Sequence, residues 1–301
     1  MKYAALAVVM LSACALADVD PDAAEEQESG ATQYVNILDF AKTDQGAWYD
    51  LVRAVNAQVA AEDSAHMPLT LFCSVTSKRG DIKDCAWTFA SSQAVVDGAT
   101  AAIAVDAPTF QCHVAPKTTA PRLIALLQGS ANALHEPLPG TTSLADALPD
   151  CFAHPIGGSA LPAVAAGTYV EASAYYTTTT NQQKWSDAKA ALVAGFDRVC
   201  GDTFCSGDFT DLQSLTFACA ITKSTGNVKS CAWTFGGSWT LVAKTGGLAL
   251  TSQSFTCPVA MHGTIAQLIT TLTATGTEDA IRRPLPGTTA TAYDALLGCL
   301  P

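Results

Sequence analysis

Charge is scarce in this chain. Only 14% of its 301 residues are Asp, Glu, Lys or Arg, and 27 acidic side chains outnumber 16 basic ones. The net charge of -11 argues against nucleic acid, whose binding depends on Lys and Arg neutralising phosphates. Beyond the N-terminus no apolar run is long enough to cross a bilayer as a helix. The phosphate-cradling P-loop, the dinucleotide fingerprint and the G-x-S-x-G of a nucleophile elbow are all missing. The five histidines, His66, His113, His135, His154 and His262, show no metal-ligand spacing. No cofactor, no metal and no catalytic residue is therefore expected. The chain reads as a protein that binds or builds rather than catalyses.

Cysteine, by contrast, is plentiful, and the N-terminus explains why. Met1-Lys2 supplies a short positive region and residues 3–13 an apolar one, the pattern of an export signal within residues 1–17. Two endings overlap. Ala15-Leu16-Ala17 before Asp18 is an A-x-A cleavage site, while Leu11-Ser12-Ala13-Cys14 is similar to the bacterial lipobox, in which the Cys carries the lipid. The second ending makes Cys14 the lipid-attachment residue and places the protein at the outer membrane or cell surface; it is favoured over free secretion. Residues 18–30 are acidic and suit a tether. Setting Cys14 aside leaves ten cysteines, an even number that in an exported chain reads as a disulfide framework.

The pentapeptide Cys85-Ala86-Trp87-Thr88-Phe89 recurs unchanged as Cys231-Ala232-Trp233-Thr234-Phe235. It lies within a longer ungapped match, LTLFCSVTSKRGDIKDCAWTF from Leu69 against LTFACAITKSTGNVKSCAWTF from Leu215. TFQCHV then matches SFTCPV, and PLPGTTSLADALPDC matches PLPGTTATAYDALLGC. The expected organisation is one unit over 31–154, a Gly/Pro-rich linker over 155–166 and a second unit over 167–301. Each unit is expected to be α+β, a helix packed on an antiparallel β-meander. An opening strand covers 34–40. The helix follows, its apolar stripe being Trp48, Leu51, Val52, Val55 and Val59, or Trp185, Ala188, Leu192, Phe196 and Val199 in the copy. Period-two alternation then puts Leu69, Leu71, Cys73 and Val75 on one strand face, as it does Leu215, Phe217, Cys219 and Ile221. A second helix opens near Thr119-Ala120-Pro121, and near Thr264 in the copy. Thr141 and Thr288 with their neighbours are expected to cap the last helix, leaving Asp146 and Asp294 solvated on it.

Cys73 and Cys85 are equidistant from the turn at Arg79, and Cys219 and Cys231 from Thr225. Opposed residues across a hairpin lie close enough to bond. The expected pairs are Cys73–Cys85 and Cys112–Cys151, and by repetition Cys219–Cys231 and Cys257–Cys299. Cys200 and Cys205, in the insertion CGDTFCSGD that only the second unit has, pair by elimination. The Asp202, Asp208 and Asp211 oxygens near this insertion do not follow EF-hand spacing, so a small disulfide loop is expected there. Arg79-Gly80-Asp81, at a hairpin tip, reads as turn chemistry rather than an adhesion tripeptide, since Thr225-Gly226-Asn227 stands there in the copy.

A helix ahead of an antiparallel meander with hairpin disulfides resembles the topology of the cystatin superfamily. Its inhibitory Q-x-V-x-G is absent, the nearest string being Gln58-Val59-Ala60-Ala61. The set CGDTFCSGDF, CAWTF, F-x-C and PLPGT…DAL..C resembles exported, lipoprotein-like Cys-rich tandem-repeat proteins of myxobacteria, which implies location rather than activity. The expected partner is an envelope or extracellular protein or a glycan, with membrane contact only through the lipid anchor. The other readings are a secreted peptidase inhibitor and an extracytoplasmic enzyme whose site lies between the two units.

Overall fold

Successive residues of a strand point to opposite faces. Cys-Ala-Trp-Thr-Phe therefore presents Cys, Trp and Phe on one side and Ala and Thr on the other, and both sides turn out to be buried. The computed structural model describes residues 32–40, 45–205, 209, 211–276 and 279–301. The signal at 1–17, Cys14 and the acidic stretch at 18–30 lie outside the described residues.

The first half contains β1 (Tyr34–Asn36), α1 (Ile37–Phe40), α2 (Gln45–Glu62), β2 (Met67–Thr76), β3 (Ile82–Ala90), β4 (Gln93–Val96), β5 (Ile103–Asp106), β6 (Thr109–Val114), α3 (Ala120–Gly129) and α4 (Leu144–Phe152). The second contains β7 (Tyr169–Glu171), α5 (Ala172–Tyr175), α6 (Thr179–Val199), β8 (Gln213–Thr222), β9 (Asn227–Val242), β10 (Leu248–Val259), β11 (Gly263–Thr264), α7 (Ile265–Thr273) and α8 (Ala292–Leu297). The fold is mixed helix and antiparallel sheet. One sheet has the order β1-β2-β3-β6 and the other β10-β9-β8-β7, with β11 paired to β9. The ribbon β4–β5 stands apart from the first sheet. Its counterpart is the outer part of the unbroken β9–β10 hairpin.

The opening strand is shorter than the expected 34–40. The Asn36 side chain accepts from the Leu38 amide at 2.9 Å, which turns the chain into α1. Glu171 does the same for the Ser173 amide at the start of α5. In α2 the stripe Trp48, Leu51, Val55 and Val59 is buried, and in α6 Trp185, Ala188, Leu192, Phe196 and Val199 are. These stripes pack on the Cys-Trp-Phe face of each sheet, with α3 and α4 or α7 and α8 beside them. The last helices are capped two and three residues beyond Thr141 and Thr288. Ser143 and Thr291 are the caps, and Asp146 and Asp294 complete capping boxes instead of standing merely solvated.

Five cysteine pairs stand at disulfide distance, and they are the pairs the spacing picks. Cys73 faces Cys85 across β2–β3 with Cα atoms 4.0 Å apart, and Cys219 faces Cys231 across β8–β9 at 4.1 Å. Cys112–Cys151 ties β6 to α4 and Cys257–Cys299 ties β10 to the chain just after α8. Cys200–Cys205 closes a π-helical turn at the end of α6. Such a set places the chain in an oxidising compartment. No described helix is long and apolar enough to cross a membrane.

Leu69 and Leu215 do not join the helix-facing rows expected of them. The β2–β3 register shifts between Pro68 and Leu71, and the β8–β9 register between Ser214 and Thr216. Such bulges redirect a side chain. Both leucines instead approach Gly236, where an added β-carbon would stand 3.3 Å from Leu215 Cδ1, 3.6 Å from Leu69 Cδ2 and 2.6 Å from the Ala90 methyl. This is the second face of the sheets. Ala86, Thr88 and Ala90 of β3 are fully buried, as are Ala218, Ala220 and Thr234 opposite. The two sheets therefore press together through small residues, with helices on the outer sides. Hydroxyls stitch the seam: Thr88 Oγ1 lies 2.8 Å from Ser238 Oγ, Ser252 Oγ 2.8 Å from Thr109 Oγ1, and Ser254 Oγ donates to the Ala107 carbonyl at 2.7 Å.

The hairpin tips exchange places across this seam. A β-carbon at Gly246, in the β9–β10 turn, would stand 2.7 Å from the Tyr34 ring of β1. Reciprocally, Gly98 in the β4–β5 turn accepts from the Tyr169 amide of β7 at 3.0 Å. The stretch between the halves is held as well. Ile156 pairs with Thr109, and the Gly98 amide donates to Ala165. Residues Gln33–Pro301 accordingly form one compact unit.

Two stability outcomes are expected. Replacing both Cys112 and Cys151 by Ala should cost about 4 kcal/mol, against about 3 for Cys73 with Cys85, because the loop-closure entropy grows with loop length; denaturant titration under oxidising conditions checks the order. Gly236→Val should cost about 1–3 kcal/mol through overpacking of the seam. An unchanged midpoint would show that the sheets do not meet there.

Candidate functional site

The cysteines whose pattern dominates the sequence are core residues and take no part in an open site: Cys73, Cys112, Cys219 and Cys257 are almost wholly buried. The Arg79-Gly80-Asp81 tip is also spoken for. Gly80 adopts φ 70°, and Arg79 Nε donates to Asp81 Oδ2 at 2.8 Å, so the two charges satisfy one another. The near-miss string Gln58–Ala61 sits in the last turns of α2, where Val59 is core and the Gln58 side chain accepts from the Leu134 amide at 2.8 Å. Asp208 lies outside the described residues, as does the side chain of Asp202. Asp211 is turned inward: its carboxylate accepts from the Ser238 amide at 2.7 Å and from the Ser238 hydroxyl. Burial pushes the Asp211 carboxyl up, more than these hydrogen bonds pull it down. Among the described residues no His, Cys, Asp and Glu group could hold a metal ion.

The open chemistry lies in the first half, at the C-terminal end of α2. The hydrogen bond from the Leu134 amide to Gln58 fixes the 3₁₀ turn Ala133–His135 against that helix. Between this turn, α2 and α4 lies a pocket of about 370 Å³, at the small end of ligand-site volumes. Val59, Leu134, Ala145, Leu148 and Phe152 form its apolar wall, and Glu62, Asp63 and His135 its rim. His135 Nε2 lies 2.9 and 3.0 Å from the two Glu62 oxygens. Just outside, His66 Nδ1 pairs with Asp63 Oδ2 at 2.7 Å, and its ring stacks on Phe152 with centroids 3.8 Å apart. Partial burial pushes the Asp63 carboxyl up, but the hydrogen bonds from His66 and from the Ala65 amide outweigh it. The group titrates below its ordinary value.

The corresponding place in the second half is closed. The repeat aligns Val59 with Phe196, His135 with Arg282 and Ala145 with Tyr293. There the Tyr293 ring lies 5.4 Å from the ring of Phe204, which packs 5.9 Å from Phe196. The Arg282 guanidinium sits 4.1 Å over the Tyr293 ring. Phe204 belongs to the Cys200–Cys205 turn, the insertion that the first half lacks, and it is buried. The insertion thus acts as a plug.

His66 and His135 have neither metal-ligand spacing nor a histidine counterpart in the second half, so a search for shared histidines does not single them out. The usable signal was the reverse: a small residue, Ala145, where the copy carries Tyr293. No protein-family model, curated protein or solved structure matches the chain.

A third imidazole pair stands apart on the first sheet, with His113 Nδ1 2.8 Å from Asp84 Oδ2. That hydrogen bond raises the His113 pKa against the opposing effect of burial, with the Asp84 charge adding to it. The two shifted groups act in opposite pH windows. The His113 contribution to stability is complete below the ordinary imidazole value of about 6.5 and is lost as pH rises through the raised one. The Asp63 contribution is present above the ordinary carboxyl value of about 4 and is lost as pH falls through the lowered one. Thermal midpoints measured across both windows should lose their alkaline decline in His113→Gln and part of their acid decline in Asp63→Asn. A slope unchanged in either variant refutes that assignment.

Proposed function

We propose that this chain is a non-enzymatic binding module of the bacterial envelope, held at the outer membrane or cell surface by a lipid on Cys14. The observation that carries the binding reading is the pocket at the end of α2, an apolar wall with a charged rim on a frame stapled by disulfides. Convergent polar groups around an apolar concavity are the usual form of a recognition site. Rigidity adds to this, because a pre-organised site loses less freedom on binding. The net charge of -11 favours partners that present positive charge. The lipobox-like Leu11-Ser12-Ala13-Cys14 supports the anchor, and the five disulfides support export.

Expression of the full chain in a bacterial host, followed by fractionation and intact mass of the mature form, tests the location. The expected product begins at lipidated Cys14 and sediments with membranes; a soluble product beginning at Asp18 overturns the anchor. For the activity, the mature protein is expected to leave a panel of secreted peptidases uninhibited while retaining an envelope partner that Ala145→Tyr no longer retains. Tight inhibition of one peptidase would replace the binding-module reading with that of an inhibitor.

A further inference from the structure

The second half shows what fits at the end of the helix, because it carries the occupant in its own chain. Over Phe196 lie an aromatic ring from the turn that ends α6, Phe204, a second ring, Tyr293, and a cation, Arg282, stacked on that second ring. The first half keeps the scaffold and lacks all three. Ala145 replaces the tyrosine, His135 the arginine, and α2 runs into Glu62 and Asp63 where α6 has Val199 and Cys200. What remains is a pocket of about 370 Å³, open at one side and walled by Val59, Leu134, Leu148 and Phe152.

We infer that this pocket receives an aromatic side chain from a loop of a partner protein, and that the aromatic residue is flanked by a Lys or Arg. The inference rests on the binding-module reading and names its ligand. Three features carry it. The cavity, at about 370 Å³, has room for an aromatic side chain together with the residue beside it and lies at the small end of ligand sites. Its counterpart is filled by a phenylalanine from the disulfide-closed π-helical turn that continues α6, so an aromatic ring carried on a tight turn fits over this end of the helix. The rim contributes two carboxylates, and the hydrogen bond from His66 holds Asp63 in its ionised form. A cation beside the ring therefore meets opposite charge, as an aromatic residue next to Glu or Asp would not. His135 and His66 hold the carboxylates in place, which leaves less side-chain freedom to be lost when the partner docks.

The test uses the mature chain with its disulfides intact and four blocked peptides alike except at two positions: Lys-Phe, Glu-Phe, Lys-Ala and Lys-Leu, each between glycines. Binding is followed by NMR shifts of backbone amides in α4 and at the end of α2. The expected order places Lys-Phe first, with Glu-Phe and Lys-Ala each at least tenfold weaker. Ala145→Tyr, which installs the residue of the second half, should abolish the response. Ala145→Val, a smaller change, should weaken it at least threefold if the tyrosine variant fails to fold. Glu62→Gln should reduce the preference for Lys-Phe over Glu-Phe at least threefold.

Equal response to Lys-Phe and Lys-Ala, or binding unaffected by Ala145→Val, overturns the proposal. So does binding confined to a free aromatic amine such as phenethylamine, included as a fifth probe. If no peptide binds but an envelope partner is still retained and lost on Ala145→Tyr, the ligand assignment fails while the binding module stands. If that partner is also absent, both fail.

Discussion

Everything in this molecule depends on the contact between two sheet faces made of small side chains. Ala86, Thr88 and Ala90 on one side meet Ala218, Ala220 and Thr234 on the other, and Gly236 has no room for a methyl group. Small residues let two pleated surfaces approach until their hydroxyls reach across, as Thr88 and Ser238 do. Buried polar groups of this kind must be paired, because an orphaned hydroxyl costs more than a paired one contributes. The seam is thus specific as well as tight. It also accounts for the duplicated pentapeptide, whose large residues serve the helix-facing core and whose small ones serve the seam.

Much of this was legible in the sequence. Cys73 and Cys85 could be paired by counting from a turn, and the helix stripes by their 3.6-residue period, because both signals are local. The bulges were not legible: nothing in LTLFC or LTFAC announces that Leu69 and Leu215 cross to the other face. Nor was the seam, since Ala and Thr alternating with Trp and Phe look the same whether their side faces water or a second sheet. The pocket was hidden for another reason. Its signal is the loss of bulk at Ala145, and absence stands out only against Tyr293 in the matching place.

The two halves thus treat one scaffold in opposite ways. In the second, a disulfide-closed turn drives Phe204 into the end of the helix layer and Arg282 covers what remains. In the first, the same region stays open and gains carboxylates. Asp211 belongs to this contrast, because the segment after the plug anchors Ser238, which in turn touches Thr88 of the first sheet. The closed half is therefore wired to the open one by an acid and two hydroxyls.

The reciprocal placement of the hairpin tips has a consequence for biogenesis. An exported chain enters the oxidising compartment N-terminus first, and domains that arrive first ordinarily fold first. Here β3 can pair with β2 and β6, yet Ala86, Thr88 and Ala90 keep a bare surface until residues 213–259 have arrived. The first half is consequently a lidless box while more than a hundred further residues follow it. Its cross-strand sulfur bridge joins cysteines only 12 positions apart, so in the oxidising compartment it can close over the β2–β3 hairpin before the second sheet arrives.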